Sequence, residues 1–220
     1  MSSHHIVRDD QEQALIIANG QECSSELLGQ LLEWSPLVIV LDSAMHRVHE
    51  LNIKVDVLLG DFDHDFNPDI YKETQYPLEI VHTPNQDKTD LEKAFDYLIE
   101  KGHKAVNVVW ATGKRIDHTL HNLTIGVSYK NQLKIVFFDD HSKAFLLPNH
   151  YQKWYAKNTI LSLIPIGKVS GITTENLFYP LKNEELNLGY RTGSSNHVAE
   201  DGLVSIQFEN GELFLIECWD

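Results

Sequence analysis

Between Ala14 and Phe138 the chain alternates short, uninterrupted apolar runs with segments of helical periodicity, and few folds accept that pattern. A strand that is apolar at every position must be buried on both faces. A parallel sheet covered by helices provides that burial, whereas an antiparallel sheet open to water on one side does not. The runs fall at 14–18, 37–41, 55–59, 78–81, 105–111 and 133–138. Between them, Ser24 or Ser25 can cap a helix carrying Leu27, Leu28, Leu31 and Leu32 on one face, with Pro36 as its stop. A short helix is expected over 44–51. Thr89 or Asp90 opens another, striped by Leu91, Ala94, Phe95 and Leu98 and closing near Gly102. A last one runs from Asp117, itself a candidate cap, to Tyr129.

Beyond Pro148 the texture changes. Strand-like runs at 159–164, 203–208 and 213–217 flank a stretch rich in Gly, Thr, Ser and Asn. Asn210-Gly211 is the two-residue hairpin signal, because both turn positions need positive φ. The expectation is an α/β fold: an N-terminal, mostly parallel sheet flanked by helices over 1–147, then a C-terminal all-β, sandwich-like domain over 148–220. No internal repeat is visible.

Composition removes several function classes. Of 220 residues, 42% are hydrophobic and 23% charged, the balance of a globular chain with a core. Acidic residues number 32 against 18 basic ones, a formal charge of -14, so no nucleic acid is expected as partner. No apolar stretch nears the roughly 20 residues of a spanning helix, and 1–10 is too polar for a signal peptide. No membrane is therefore expected as partner either. Cys23 and Cys218 form neither a disulfide framework nor a zinc ribbon, and a cytoplasmic chain is expected. His46 with His49 and His118 with His121 lack the context of a zinc site and are expected at the surface or in caps.

Ligands of parallel sheets sit at the carboxyl ends of the strands. There the chain places Gly60-Asp61-Phe62-Asp63. Two carboxylates two residues apart on extended chain point to one side, and they repel each other unless a cation lies between them. An oxygen-only cluster suits Mg²⁺. A solvated acidic loop is the competing reading. The second cluster is Asn85-Gln86-Asp87-Lys88-Thr89-Asp90-Leu91-Glu92-Lys93, where Asp87, Asp90 and Lys93 are spaced to share a face at a helix start favourable to phosphate. An ordinary capped helix explains Thr89 and Asp90 equally well. The third, Ala111-Thr112-Gly113-Lys114-Arg115-Ile116-Asp117-His118, offers a tight turn and two cations. Together the three read as a metal–polyphosphate site.

These residues resemble the thiamine pyrophosphokinase family. Its Gly-Asp-Phe-Asp segment appears as Gly60-Asp61-Phe62-Asp63, and its Asp-x-Thr-Asp-x-x-Lys-Ala segment as Asp87 to Ala94. Its Gly-Gly-Arg-x-Asp-His segment with a helical Asn is similar to Gly113-Lys114-Arg115-Ile116-Asp117-His118 and Asn122. Further along, Ser162-Leu163-Ile164-Pro165, Gly171-Ile172-Thr173-Thr174 and Gly193-Ser194-Ser195-Asn196 are similar to its β-domain motifs. The chain departs from the family at Asp42-Ser43-Ala44, where Asp-Gly-Gly is usual, at His64 for Ser, and at Lys114 for Gly.

The resemblance implies transfer of the diphosphate of ATP to the thiamine hydroxyl, with AMP leaving. It implies Mg²⁺ on Asp61, Asp63, Asp87 and Asp90, with Lys93 and Arg115 neutralising charge, and leaves the general base open among these aspartates and Asp42. The nucleotide is expected against Asp42, Ser43, Thr89, Gly113 and Lys114. Thiamine is expected against Asp117, Asn122, Ser194, Ser195 and Asn196, in a pocket shared between the subunits of a homodimer. Trp154 and Trp219 are expected as core or interface residues. Two alternatives are a diphosphokinase acting on a pterin alcohol and a silent thiamine- or nucleotide-binding protein.

Overall fold

The structure, a computed structural model, describes residues 14–62 and 66–219. Expectations for 1–10, Asp63 and His64 lie outside the described residues. The chain divides into Met1–Asp140 and His141–Asp220. The division falls before the texture change at Pro148, because Ser142–Leu146 forms a strand that pairs within the second unit.

In the first unit the strands are β1 (Ala14–Ile17), β2 (Leu37–Leu41), β3 (Val57–Gly60), β4 (Glu79–His82), β5 (Ala105–Val109) and β6 (Lys134–Phe138). They pair in the order β4-β3-β2-β1-β5-β6, every pair parallel. β1, β3 and β5 are buried along their whole length, which is why their sequences lack polar alternation. The helices are α1 (Ser25–Leu32), α2 (Met45–Glu50), α3 (Asp90–Glu100) and α4 (Ile116–Tyr129). α1 starts at Ser24, whose hydroxyl accepts from the Leu27 N–H. α3 buries Leu91, Ala94, Phe95 and Leu98; each large apolar side chain so removed from water contributes about 1.5–3 kcal/mol. α4 begins one residue before Asp117, with Arg115 at the N-cap position making no side-chain capping bond, so Asp117 lies in its first turn rather than at its cap.

The chain builds outward from β1 to β4 and then returns to lay β5 on the other side of β1. That reversal leaves a crevice at the carboxyl ends of β1 and β5, where open α/β sheets bind ligands.

The second unit holds β7 (Ser142–Leu146), β8 (His150–Tyr155), β9 (Ile160–Glu175), β10 (Lys182–Asn187), β11 (Gly193–His197), β12 (Gly202–Gln207) and β13 (Asn210–Cys218). β9 is the spine, pairing antiparallel with β10, β11, β12 and β13. β8 adds to β12 and β7 to β13, which leaves two strand layers joined through β9. Leu161, Leu163, Leu213 and Leu215 from one layer pack with Ile172, Leu186, Val204 and Ile206 from the other.

The expected hairpin at Asn210-Gly211 does not form. β12 pairs with β8 and β9, whereas β13 pairs with β7 and β9, so the two strands are not partners. Asn210 and Gly211 instead open β13 at a register irregularity against β9. Gly211 has φ +101, and a methyl there would overlap the Lys168 carbonyl. A close backbone approach, not a tight turn, requires the glycine.

Candidate active site

The carboxyl ends of the first unit's strands surround a cleft of about 470 Å³. Asn19 and Gly20 line it after β1, Ser43 after β2, Asp61 after β3, and Gly113, Lys114 and Arg115 after β5. The starts of α3 (Thr89, Asp90, Lys93) and α4 (His118, Asn122) complete the wall.

Asp42, Asp61 and Asp90 bring carboxylate oxygens within 4.8 Å of one another. The sheet register explains the first two. Leu41 pairs with Leu59, so Asp42 falls beside Gly60 and Asp61 comes next. Asp42 is buried, 7% exposed. Its Oδ1 accepts from the backbone N–H and the hydroxyl of Ser43, and its Oδ2 from the Phe62 N–H at 3.2 Å. Asp61 Oδ2 accepts from Gln86 Nε2 at 3.0 Å. Asp90 Oδ1 accepts from Lys93 Nζ at 2.9 Å, and that lysine is only 7% exposed. Burial pushes the Asp90 carboxyl above the usual carboxylate range; Lys93 pulls against the shift, and the charges of Asp42 and Asp61 add to it. Three carboxylates thus face one ammonium, an imbalance that a divalent cation bound on hard oxygen donors removes.

Left-handed residues also occur at this rim: Phe62 (φ +51) after β3, and Trp110 (φ +57) and Lys114 (φ +54) in the segment between β5 and α4. α4 is preceded by Gly113 (φ +74) and Lys114, consecutive left-handed residues. Arg47, on α2, fixes the turn after β1. It donates to the Gly20 carbonyl at 3.2 Å and to Asn19 Oδ1 at 2.6 Å, pairs with Glu22 at 2.9 Å, and lies 4.6 Å over the Trp110 ring.

Of the residues singled out in the sequence, Asp61, Asp90 and Lys93 come together, and Ser43, Thr89, Gly113, Lys114, Arg115 and Asn122 line the same cleft. Asp63 lies outside the described residues. Asp87 is exposed and belongs neither to the carboxylate cluster nor to the cleft lining. The helix starts only at Asp90, so the helical spacing that joined Asp87 to Asp90 does not apply. Thr89 is committed to a reciprocal capping box with Glu92. Arg115 binds Asp117 through two nitrogens, and its guanidinium holds that exposed carboxyl down at about 2. Asn122 donates to the Ala111 carbonyl at 2.8 Å, tying α4 to the end of β5.

In the second unit, Ser194 is exposed and its hydroxyl accepts from Thr192 at 3.3 Å. Ser195 is left-handed (φ +54) and donates its N–H to Ser162 Oγ at 2.9 Å. Asn196 is buried and does not fit an open lining role. Its Oδ1 accepts from the Tyr179 and His197 N–H groups, and its Nδ2 donates to the Tyr179 carbonyl. Trp154 is 59% exposed, outside the core, and Trp219 is half-buried. Among the described residues the metal-competent cluster contains no histidine.

Sequence reasoning missed Asp42 as the third carboxylate and Arg47 altogether, and it named Gln86 in the second cluster without giving it a role. The signal for Asp42 was present: like Asp61, it follows a buried strand that ends at the sheet's carboxyl edge.

Both parts of the chain match models of one family. Residues 28–137 match the family model described as thiamin pyrophosphokinase, catalytic domain, and residues 149–213 match thiamin pyrophosphokinase, vitamin B1 binding domain. The chain is 31% identical over 166 residues to thiamine pyrophosphokinase 1 of Oryza sativa subsp. japonica, covering 69% of this chain. It spans 62% of the rice protein's length, less than two thirds. It is 28% identical over 167 residues to thiamine pyrophosphokinase of Bacillus subtilis (strain 168), covering 73% of this chain and 77% of that one. In fold it is similar to the crystal structure of the Bacillus subtilis thiamine pyrophosphokinase, with a TM-score of 0.78 at 24% identity over 94% of this chain and 99% of that one. The yeast thiamin pyrophosphokinase structure gives a TM-score of 0.79 at 18% identity over 98% and 88%. The catalytic-domain model spans the chain from α1 to β6, the elements that carry the carboxylates and cations of the cleft, and the chain belongs to the thiamin pyrophosphokinase family.

Proposed function

We propose that this protein transfers the diphosphate of ATP to the hydroxyl of thiamine, giving thiamine diphosphate and AMP. One observation carries the reading: Asp42, Asp61 and Asp90 converge beside a cleft lined by Lys88, Lys93, Lys114 and Arg115. Carboxylates and cations side by side suit a metal-bound polyphosphate, which presents both negative oxygens and a divalent ion. The family's vitamin B1 binding model over 149–213 supports thiamine as the acceptor.

Asp42, Asp61 and Asp90 form an oxygen-only donor set that fits Mg²⁺ and would hold it. When bound, the ion supplies charge neutralisation on the polyphosphate. The rest falls to the chain's own groups. Ser43 and the Phe62 N–H hold the Asp42 carboxylate, Gln86 holds Asp61, and Lys93 holds Asp90, so the donors are oriented before substrate arrives. The thiamine hydroxyl gives its proton to a carboxylate of the cleft as its oxygen forms a bond to the β-phosphorus; the bond from that phosphorus to the oxygen bridging to the α-phosphate breaks, and AMP departs with the bridging oxygen. Arg115, at the cap of α4, neutralises charge on the departing group.

A cytoplasmic homodimer is part of the same reading. Among the described residues no helix is long and apolar enough to cross a membrane. Trp154 and Leu203, cross-strand partners on β8 and β12, are both more than half exposed, an apolar face suited to self-association.

The test is to incubate the purified chain with Mg·ATP and thiamine and separate the products. AMP and thiamine diphosphate are expected in equal amounts. ADP would mean single-phosphate transfer and overturn the reaction class, and AMP formation with a pterin alcohol but not thiamine would overturn the acceptor. Asp61→Asn is expected to lower turnover by about 10²-fold or more while leaving the fold intact.

A further inference from the structure

The cations of the cleft are not equivalent. Lys88 pairs with Asp96 at 2.6 Å, Lys93 with Asp90 at 2.9 Å, and Arg115 with Asp117. Lys114 also lines the cleft, yet among the described residues no carboxylate pairs with it; its Nζ reaches only the Asn19 carbonyl, at 3.4 Å. Its backbone is left-handed at φ +54, a conformation that glycine adopts freely and a side chain with a Cβ resists. The position that the family segment fills with glycine therefore carries a strained lysine with an uncommitted charge. Its place is informative too. Lys114 follows β5 and reaches the turn after β1, whereas the carboxylates sit at the ends of β2 and β3 and the start of α3. A polyphosphate with its metal on the carboxylates would extend along the cleft toward that ammonium.

We propose that Lys114 is an added phosphate ligand of this chain, its ammonium binding the polyphosphate of the nucleotide at the end of the cleft away from the acidic cluster. The assignment rests on the reading of the cleft as a Mg·ATP site. The lysine is kept in a conformation that favours glycine because its charge meets a phosphate oxygen once the nucleotide binds. A charge-assisted contact of this kind adds affinity for the phosphate chain and none for the base or for thiamine.

The experiment measures binding by calorimetry, with a non-hydrolysable Mg·ATP analogue and with inorganic pyrophosphate plus Mg²⁺ as probes. It compares wild type with Lys114→Gly, Lys114→Met and Lys114→Arg. Lys114→Gly and Lys114→Met are expected to weaken both probes by about tenfold and to flatten the salt dependence, while Lys114→Arg stays within about threefold of wild type. The melting temperature of Lys114→Gly is expected to equal or exceed that of wild type, since glycine relieves the backbone and no ion pair is lost. Unchanged affinity in Lys114→Met overturns the proposal, as does a loss confined to Lys114→Gly, which would mark the effect as loop geometry. Because the readout is binding, a wild-type protein that holds the probes but makes no thiamine diphosphate would defeat the proposed reaction and leave the Lys114 assignment standing.

Discussion

Gly60 and Asp42 are adjacent in the parallel register, and each dictates what the other can be. A methyl added at Gly60 would overlap the Asp42 carboxylate itself. Gly60 has no left-handed φ to explain its presence, so space for that buried carboxylate is what requires it. Gly60→Ala is expected to push Asp42 out of the cluster, reducing turnover about 10²-fold and costing about 1–3 kcal/mol of stability, the usual price of overpacking. Steady-state kinetics and denaturant titration check both; a variant with normal turnover would show that Asp42 is dispensable. The same pair shows what could be read without coordinates. Asp61 was legible because its signal is local: an apolar run, a glycine, an acid. Asp42 as a partner was not, because its place depends on how β2 and β3 align, a non-local fact. The spacing argument for Asp87 fails for the opposite reason, since it applies a helical rule one turn before the helix begins at Asp90.

At the level of elements, the strands and helices of the first unit were legible because burial on both faces leaves continuous apolar runs. The β-rich unit was less so, and Asn210-Gly211 shows why. A two-residue turn signal says that the chain bends but not which strand it meets next, and pairing of β13 with β7 and β9 decided the outcome. Those strands are also tied by charge. Glu217 on β13 lies opposite Lys143 on β7 and pairs with it at 3.2 Å. It also reaches β8 in the other layer, accepting from Lys153 Nζ at 3.0 Å and Tyr155 OH at 2.6 Å. Burial alone would raise the Glu217 carboxyl, but Lys143, Lys153 and Tyr155 outweigh it and hold the group below the usual range. The folded state therefore binds fewer protons here than the unfolded chain. The contribution is fully present above the unfolded value of 4.5 and is lost as pH falls from there through the folded value. Glu217→Gln strands two lysines and is expected to cost about 2–4 kcal/mol near neutral pH, less than a fully buried pair because both lysine side chains keep some exposure. Denaturant titrations across pH should show the variant approaching wild type below pH 4.5. Parallel pH profiles would show that the network contributes no titrating stability.

The whole molecule carries a formal charge of -14, which opposes the approach of a polyphosphate. Four of its 18 Lys and Arg residues line one cleft, so the opposition is relieved locally, yet three of those four are already paired with carboxylates. Without a divalent ion, a triphosphate entering the cleft would meet the Asp42–Asp61–Asp90 cluster as bare negative charge. Without a triphosphate, Mg²⁺ would have only protein oxygens and water for its remaining positions, although it favours sharing phosphate oxygens. Each ligand should therefore improve the site for the other, and linkage makes the coupling equal in both directions. Thermal shift with Mg²⁺ alone, with a non-hydrolysable ATP analogue alone and with both should give a combined shift larger than the sum of the separate ones. A ligand held at 100 times its dissociation constant stabilises by about 2.7 kcal/mol, well within reach of the measurement. Asp61→Asn should remove most of the excess, because it takes a carboxylate from the cluster and lessens the repulsion that the ion relieves. Additive shifts in the wild-type protein would mean that metal and nucleotide bind apart, and that the convergence of the three carboxylates serves the fold rather than the polyphosphate.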